Sequence, residues 1–210
     1  MKPVLRRVVV LILVWLLPAL MVPAAGGPTA QLFNGQVISM ETAGLSLKER
    51  AAAACRQLAT GKEGDSFFTA WAFPVSERIT SCRGRHAAAD DGPLTIQSRN
   101  GRIVVNADRD HSLNISDGQG TEKESAYWGV LLFLNRMERG RCRVSDVQLL
   151  APERSYDLNG ERLAWLGAAD EAQGLECLRG LLAGDPGREL RKDLVFVLYL
   201  FNGQAAVSEL

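Results

Sequence analysis

The sequence predicts an α+β protein: an N-terminal helix plus a small antiparallel β-rich module, followed by an α-helical hairpin. Three observations carry that reading. "SLKERAAAACRQLA" opens on a helix cap and keeps helical spacing. Residues 65–150 are rich in β-branched and aromatic residues around two-residue turns. Beyond Gly167 the apolar residues recur every three or four positions, with one break at Gly184–Gly187.

The first segment, "MKPVLRRVVVLILVWLLPALMVPAA", has a basic start (Lys2, Arg6, Arg7), an apolar run from Val8 to Val22 and small residues at Ala24 and Ala25. That layout is a secretory signal peptide over residues 1–25. The run is roughly 15 residues and broken by Pro18, short of the roughly 20 that span hydrocarbon. The protein is therefore expected to be exported, to the periplasm or cell surface, and to meet a membrane only through this leader. Removing Lys2, Arg6 and Arg7 leaves 21 basic residues against 24 acidic ones, a net charge of −3. Such a surface carries no electrostatic footprint for nucleic acid. The short basic clusters "RCR" (141–143) and "RELRK" (188–192) read as solvated strand and helix faces.

Residues 26–44, small and polar, read as a flexible lead-in. Ser46 and Glu49 then stand at capping-box spacing, and Leu47, Ala51, Ala54, Cys55 and Leu58 share one helical face. "SFFTAWAFPV" leans to strand, with Pro74 confining it to an edge or an end. "LTIQSRNGRIVVNA" is a hairpin around Asn100–Gly101, a pair suited to a type I′ turn. "HSLNIS" is a further strand. "AYWGVLLFLNRME" and "CRVSDVQLL" read as two long strands turning at Arg139–Gly140, with helix the competing assignment for 126–138. Asp157, Asn159 and Gly160 carry turn chemistry and make "SYDLNGERLAWLG" a transition out of the module, which is assigned to residues 45–160. The aromatic residues Trp71, Trp128, Phe133 and Trp165 read as core anchors.

The last segment, 161–210, is all helix. Asp170 is an N-cap with Gln173 three residues on, and a second helix runs from about Arg188 to Phe201. Leu190, Leu194, Val197, Leu198 and Phe201 make one inward stripe, while Val195, Phe196, Tyr199 and Leu200 fill the remaining angles. A helix apolar all round requires cover on several sides, which stacked helical repeats supply. "DEAQGLECLRGLLAGDPGRELRKDLVFVLYLFNGQAAVSEL" resembles the HEAT-repeat family: helix, short loop, Leu190–Arg191 at the head of a longer apolar helix, then a Gly turn and a new helix with Ala205, Ala206 and Leu210. The upstream "ERLAWLGAADEAQGLECL" is similar to the lead-in of exported bacterial proteins of that type. The resemblance implies a HEAT-like hairpin that is incomplete at residue 210, with Phe196, Tyr199 and Leu200 as its helix-stacking interface.

Cys55, Cys82, Cys142 and Cys177 allow three disulfide connectivities in an oxidising compartment. Cys82 with Cys142 is preferred because both fall in strand-rich sequence, leaving Cys55 and Cys177 as buried thiols on helix faces. No C-x-x-C or Cys/His cluster at zinc spacing occurs, so neither metal nor cofactor is expected. His86 and His111, each beside aspartates, read as solvated loop residues, and no nucleophile elbow, P-loop or dinucleotide fingerprint is present. The expected function is that of a non-catalytic exported scaffold for a protein partner. Two alternatives stand beside it: a ligand-binding or hydrolytic β module supported by the helices, and a redox-sensitive envelope regulator.

Overall fold

A computed structural model describes residues 28–75, 78–83, 92–106, 111–116 and 127–201, with the backbone alone for 78–83, 106, 111–116 and 201. A mixed sheet of seven strands dominates it. In chain order the strands are β1 (Phe33–Ser39), β2 (Ser66–Val75), β3 (Arg78–Arg83), β4 (Leu94–Arg99), β5 (Arg102–Asn106), β6 (His111–Ser116), β7 (Tyr127–Glu138), β8 (Arg141–Leu150) and β9 (Tyr156–Ala168). The helices are α1 (Leu47–Leu58), α2 (Glu171–Ala183) and α3 (Arg188–Phe201). Strands run in the order β5-β4-β9-β2-β7-β8, β1 pairs with β9, and β3 with β6 form a separate two-stranded sheet.

The expected division into a small antiparallel module and a helical repeat is overturned by this sheet. Residues assigned to the lead-in form β1, and the supposed transition is the 13-residue β9. β9 pairs in parallel with β1, β4 and β2 and so becomes the sheet's centre. The turn chemistry that suggested a break is instead a bulge inside the strand. Asn159 (φ 47°) and Gly160 (φ 82°) push out the extra residues, and pairing with β1 jumps from Asn34↔Asp157 to Gln36↔Arg162. Gly35 (φ 128°) lies against the same bulge, where a Cβ would come within 3.1 Å of that of Leu158.

The local signals that did act locally are in place. Asn100–Gly101 joins β4 to β5 with both φ positive, and Arg139–Gly140 joins β7 to β8 in the same way, so residues 127–138 are strand rather than helix. The capping box forms: the Ser46 N–H donates to Glu49 Oε2 at 2.8 Å, and the Glu49 N–H to Ser46 Oγ at 3.3 Å. Pro74 sits in a central strand, but at the end that extends past the β9 ladder, whose last β2 partner is Ala72.

The curled sheet nearly closes into a barrel. Its two end strands, β5 and β8, approach without a ladder, and the Ile103 N–H donates to Asp146 Oδ2 at 2.6 Å across the seam. One face of the sheet lines the interior with Phe68, Leu132, Leu134, Leu158, Leu163 and Trp165. The other face, through Phe67, Trp71, Phe73, Leu131 and Phe133, packs under all three helices. A sheet covered on both sides needs near-continuous apolar strands, which accounts for the unbroken run Val130–Leu134.

The α2–α3 hairpin lies on this sheet. Leu190, Leu194, Val197, Leu198 and Leu200 all enter the core shared with β2, β7 and β8. Two arginines tie the layers together. Arg50 is buried; it donates to the Leu166 carbonyl in β9 and, at 3.3 Å, to Gln173 in α2, and burial pushes its pKa down. Arg162 of β9 reaches the Leu58 carbonyl at the end of α1 (2.6 Å), Asp65 (2.6 Å) and the Ser66 carbonyl (2.9 Å).

Candidate functional site

Glu138 and Arg141, which flank the turn of the β7–β8 hairpin, face the α2–α3 turn at Gly184–Gly187. Between them lies a cleft of about 770 Å3. Ala51, Ala52 and Cys55 of α1 form one wall, Gly184–Leu190 another, and the first residues of β8 the third, with Arg102 at the seam. The two basic clusters that read separately as solvated faces meet here: Arg141 and Arg143 from "RCR", and Arg188 from "RELRK". Sequence reasoning passed over them because each is short and surrounded by acids. The helix and the hairpin that unite them are some 45 residues apart in the chain.

The charges in the cleft do not cancel. Asp185 accepts from Arg191 at 2.8 Å and Glu189 from Lys192 at 3.0 Å, so two of its acids are already engaged. Arg102 stands 3.9 Å from Asp146. Arg141, Arg143 and Arg188 have no ion pair among the described residues, and Glu138, opposite Arg141 in the ladder, is the remaining carboxylate of the lining. Deeper in the seam, Asp193 of α3 has its pKa raised by burial and by the Asp146 carboxylate, against the pull of Arg102.

Cys55 and Cys142 meet at the floor of the cleft at disulfide distance, with Cα atoms 6.3 Å apart. This corrects the expected pairing of Cys142 with Cys82. Cys142 faces the helices, because β8 turns Cys142 and Val144 toward them, and the half-buried Cys55 on α1 is there to receive it. Cys82 lies in β3, in the separate two-stranded sheet. Cys177 is unpaired and lines a smaller apolar cavity of about 430 Å3 between α1 and α2. Burial, with Glu176 adding to it, pushes its thiol up to about 11, so it is protonated near neutrality and a poor nucleophile.

The three proposed stacking residues separate. Leu200 is 2% exposed and belongs to the core, whereas Phe196 and Tyr199 are 50% and 51% exposed. With Glu189 and Lys192 they make one outward stripe of α3, which starts at the mouth of the cleft and becomes aromatic toward the helix end. His86 lies outside the described residues, and His111 is the first residue of β6. Among the described residues no group of three or more His, Cys, Asp or Glu is placed to hold a metal ion, and no helix is long and apolar enough to cross a membrane. The leader expected at residues 1–25 also falls outside the described residues. No family model, curated protein or solved structure matches the chain.

Proposed function

We propose that this is a non-catalytic exported protein that binds a protein partner through the arginine-lined cleft and the outer stripe of α3. The observation that carries the reading is the continuity of the two surfaces: arginines inside the cleft with no ion pair among the described residues, and Phe196 and Tyr199 half-exposed on the same helix that forms its wall. Large aromatics next to arginine are the side chains that contribute most to protein–protein contacts. Export is supported by the tripartite leader and by the Cys55–Cys142 pair, which as a disulfide would persist in an oxidising compartment.

The test is site-specific photocrosslinking in the organism's own cells, with benzoylphenylalanine replacing Phe196, Tyr199 or, as an exposed control, Lys62. A discrete adduct from 196 or 199, absent from 62, is expected, in protein that fractionates with the envelope and lacks residues 1–25. Absence of any adduct from both aromatic positions, or a cytosolic protein retaining its leader, would overturn the proposal.

A further inference from the structure

β8 is an end strand of the sheet, and among the described residues no strand pairs with its outer edge. An end strand directs alternate N–H and C=O groups away from the sheet, which makes it a template for another strand. In this barrel the template is half used. The register of β8 on β7 shifts between Leu134↔Asp146 and Asn135↔Val144, so Ser145 is bulged. Just beyond the bulge the Asp146 carboxylate takes the Ile103 N–H and fastens the seam to β5. On the other side of the bulge, Arg141–Ser145 line the open cleft, residues from both strand faces contributing, as happens when a cavity runs along an edge.

Resting on the partner-binding reading, we infer that the outer edge of β8 at Arg141–Ser145 receives an extended acidic segment of the partner polypeptide as an added strand. Arg141 and Arg143 are two residues apart on one strand, so they share a face. They match acidic side chains at alternate positions of a strand laid beside them. Arg188 stands on the opposite wall of the same cleft. The main chain supplies affinity in this mode and the alternate side chains supply selectivity. A compact anion such as phosphate would use the arginines and leave the edge unoccupied. Arginines placed along a strand, rather than gathered round a point, favour the extended ligand.

The test uses the full chain, exported and processed, and a fluorescein-labelled eight-residue peptide alternating Glu and Thr, read by anisotropy. Binding is expected, with loss of at least tenfold in affinity in Arg141→Glu/Arg143→Glu and in Arg188→Glu, each checked for an unchanged melting transition. A peptide N-methylated at alternate residues, which keeps the charge but blocks one hydrogen-bonding edge, is expected to lose binding. Equal binding of the N-methylated peptide would overturn strand addition. So would full competition by millimolar inorganic phosphate, or arginine-dependent binding to phosphatidylglycerol vesicles without binding to the peptide. If the Phe196 photoadduct survives in Arg141→Glu/Arg143→Glu at wild-type yield, the partner reading stands and the β8 assignment falls. If no photoadduct forms even in the wild type, the partner reading itself falls.

Discussion

Leu194→Ala and Phe196→Ala, made separately, separate a helix docked on one side from a helix enclosed in a stack. Leu194 is fully buried against the sheet, whereas Phe196 is half-exposed two residues later. Truncating a buried leucine removes its transfer energy and leaves a cavity, at a cost of about 2–5 kcal/mol. Complete burial of a phenylalanine side chain stabilises by about 1.5–3 kcal/mol, so half of it is about 1 kcal/mol. Alanine's better helix propensity returns a few tenths of that. For a chain of this size each kcal/mol moves the melting temperature by about 2–4 °C. Leu194→Ala is therefore expected to lower it by about 4–20 °C and Phe196→Ala by about 3 °C or less, measured by circular dichroism or calorimetry on the isolated protein. In an enclosed helix Phe196 would lie between neighbours and its loss would rival that of Leu194. Equal destabilisation by the two substitutions would refute one-sided docking.

Two other outcomes follow from the same junction of helices and sheet. Cys55 and Cys142 are separated by 87 residues, and closing a loop of that length stabilises by about 4.6 kcal/mol in the chain-entropy picture, with about 2–4 kcal/mol typical. Cys55→Ser/Cys142→Ser is expected to lower the denaturant midpoint by the equivalent amount, and reductant is expected to lower the wild type to match and leave the variant unmoved. Asp193 has a folded pKa above its ordinary value, through burial first and Asp146 second. The folded state thus holds the proton more tightly than the unfolded one, and the charged form costs stability above the folded pKa. Asp193→Asn is accordingly expected to be more stable than the wild type at pH 7, with the gap closing as pH falls through the folded pKa in parallel urea titrations; a gap that widens on acidification would contradict this.

The parts of the fold legible in the sequence are those set by neighbours in the chain. Ser46 and Glu49 cap a helix within one turn, Asn100–Gly101 and Arg139–Gly140 supply the positive φ of two hairpins, and Asp170 caps α2 through the Gln173 N–H at 2.8 Å. What escaped was set by partners far away. β1 is mostly exposed and polar, so its sequence resembles a loop, and only the parallel partner β9 more than a hundred residues later makes it a strand. β9 was obscured by its own bulge, whose Asn-Gly chemistry is identical to that of a turn. The apolar residues of α3 were read as demanding company on several flanks. The sheet beneath the helix, through β8 and β2, and α2 at its flank meet most of that demand, and Leu200 as well as Leu194 enters the shared core.

The same geometry explains why the site was invisible while its residues were in plain view. Arg141, Arg143 and Arg188 attract no notice singly, since an exposed arginine is the common state of that residue. Their meaning arises at the seam, where Asp146 accepts the Ile103 N–H and stands in for the ladder that would have closed the barrel. A carboxylate so placed is ambiguous in sequence: "VSDVQLL" gives no sign that its aspartate is 5% exposed and faces another strand's backbone. Had β8 paired with β5 along its full length, the edge at Arg141–Ser145 would be consumed and the cleft would hold only charge. With β5 starting at Arg102 and the register of β8 shifting at Ser145, no strand among the described residues pairs with the edge at Arg141–Ser145, and Arg141, Arg143 and Arg188 line the same cleft without an ion pair among those residues. An exposed edge invites indiscriminate strand pairing, and arginines along it repel basic segments and admit acidic ones. The selectivity proposed for the cleft is thus the same device that keeps an unfinished barrel from pairing with whatever strand arrives.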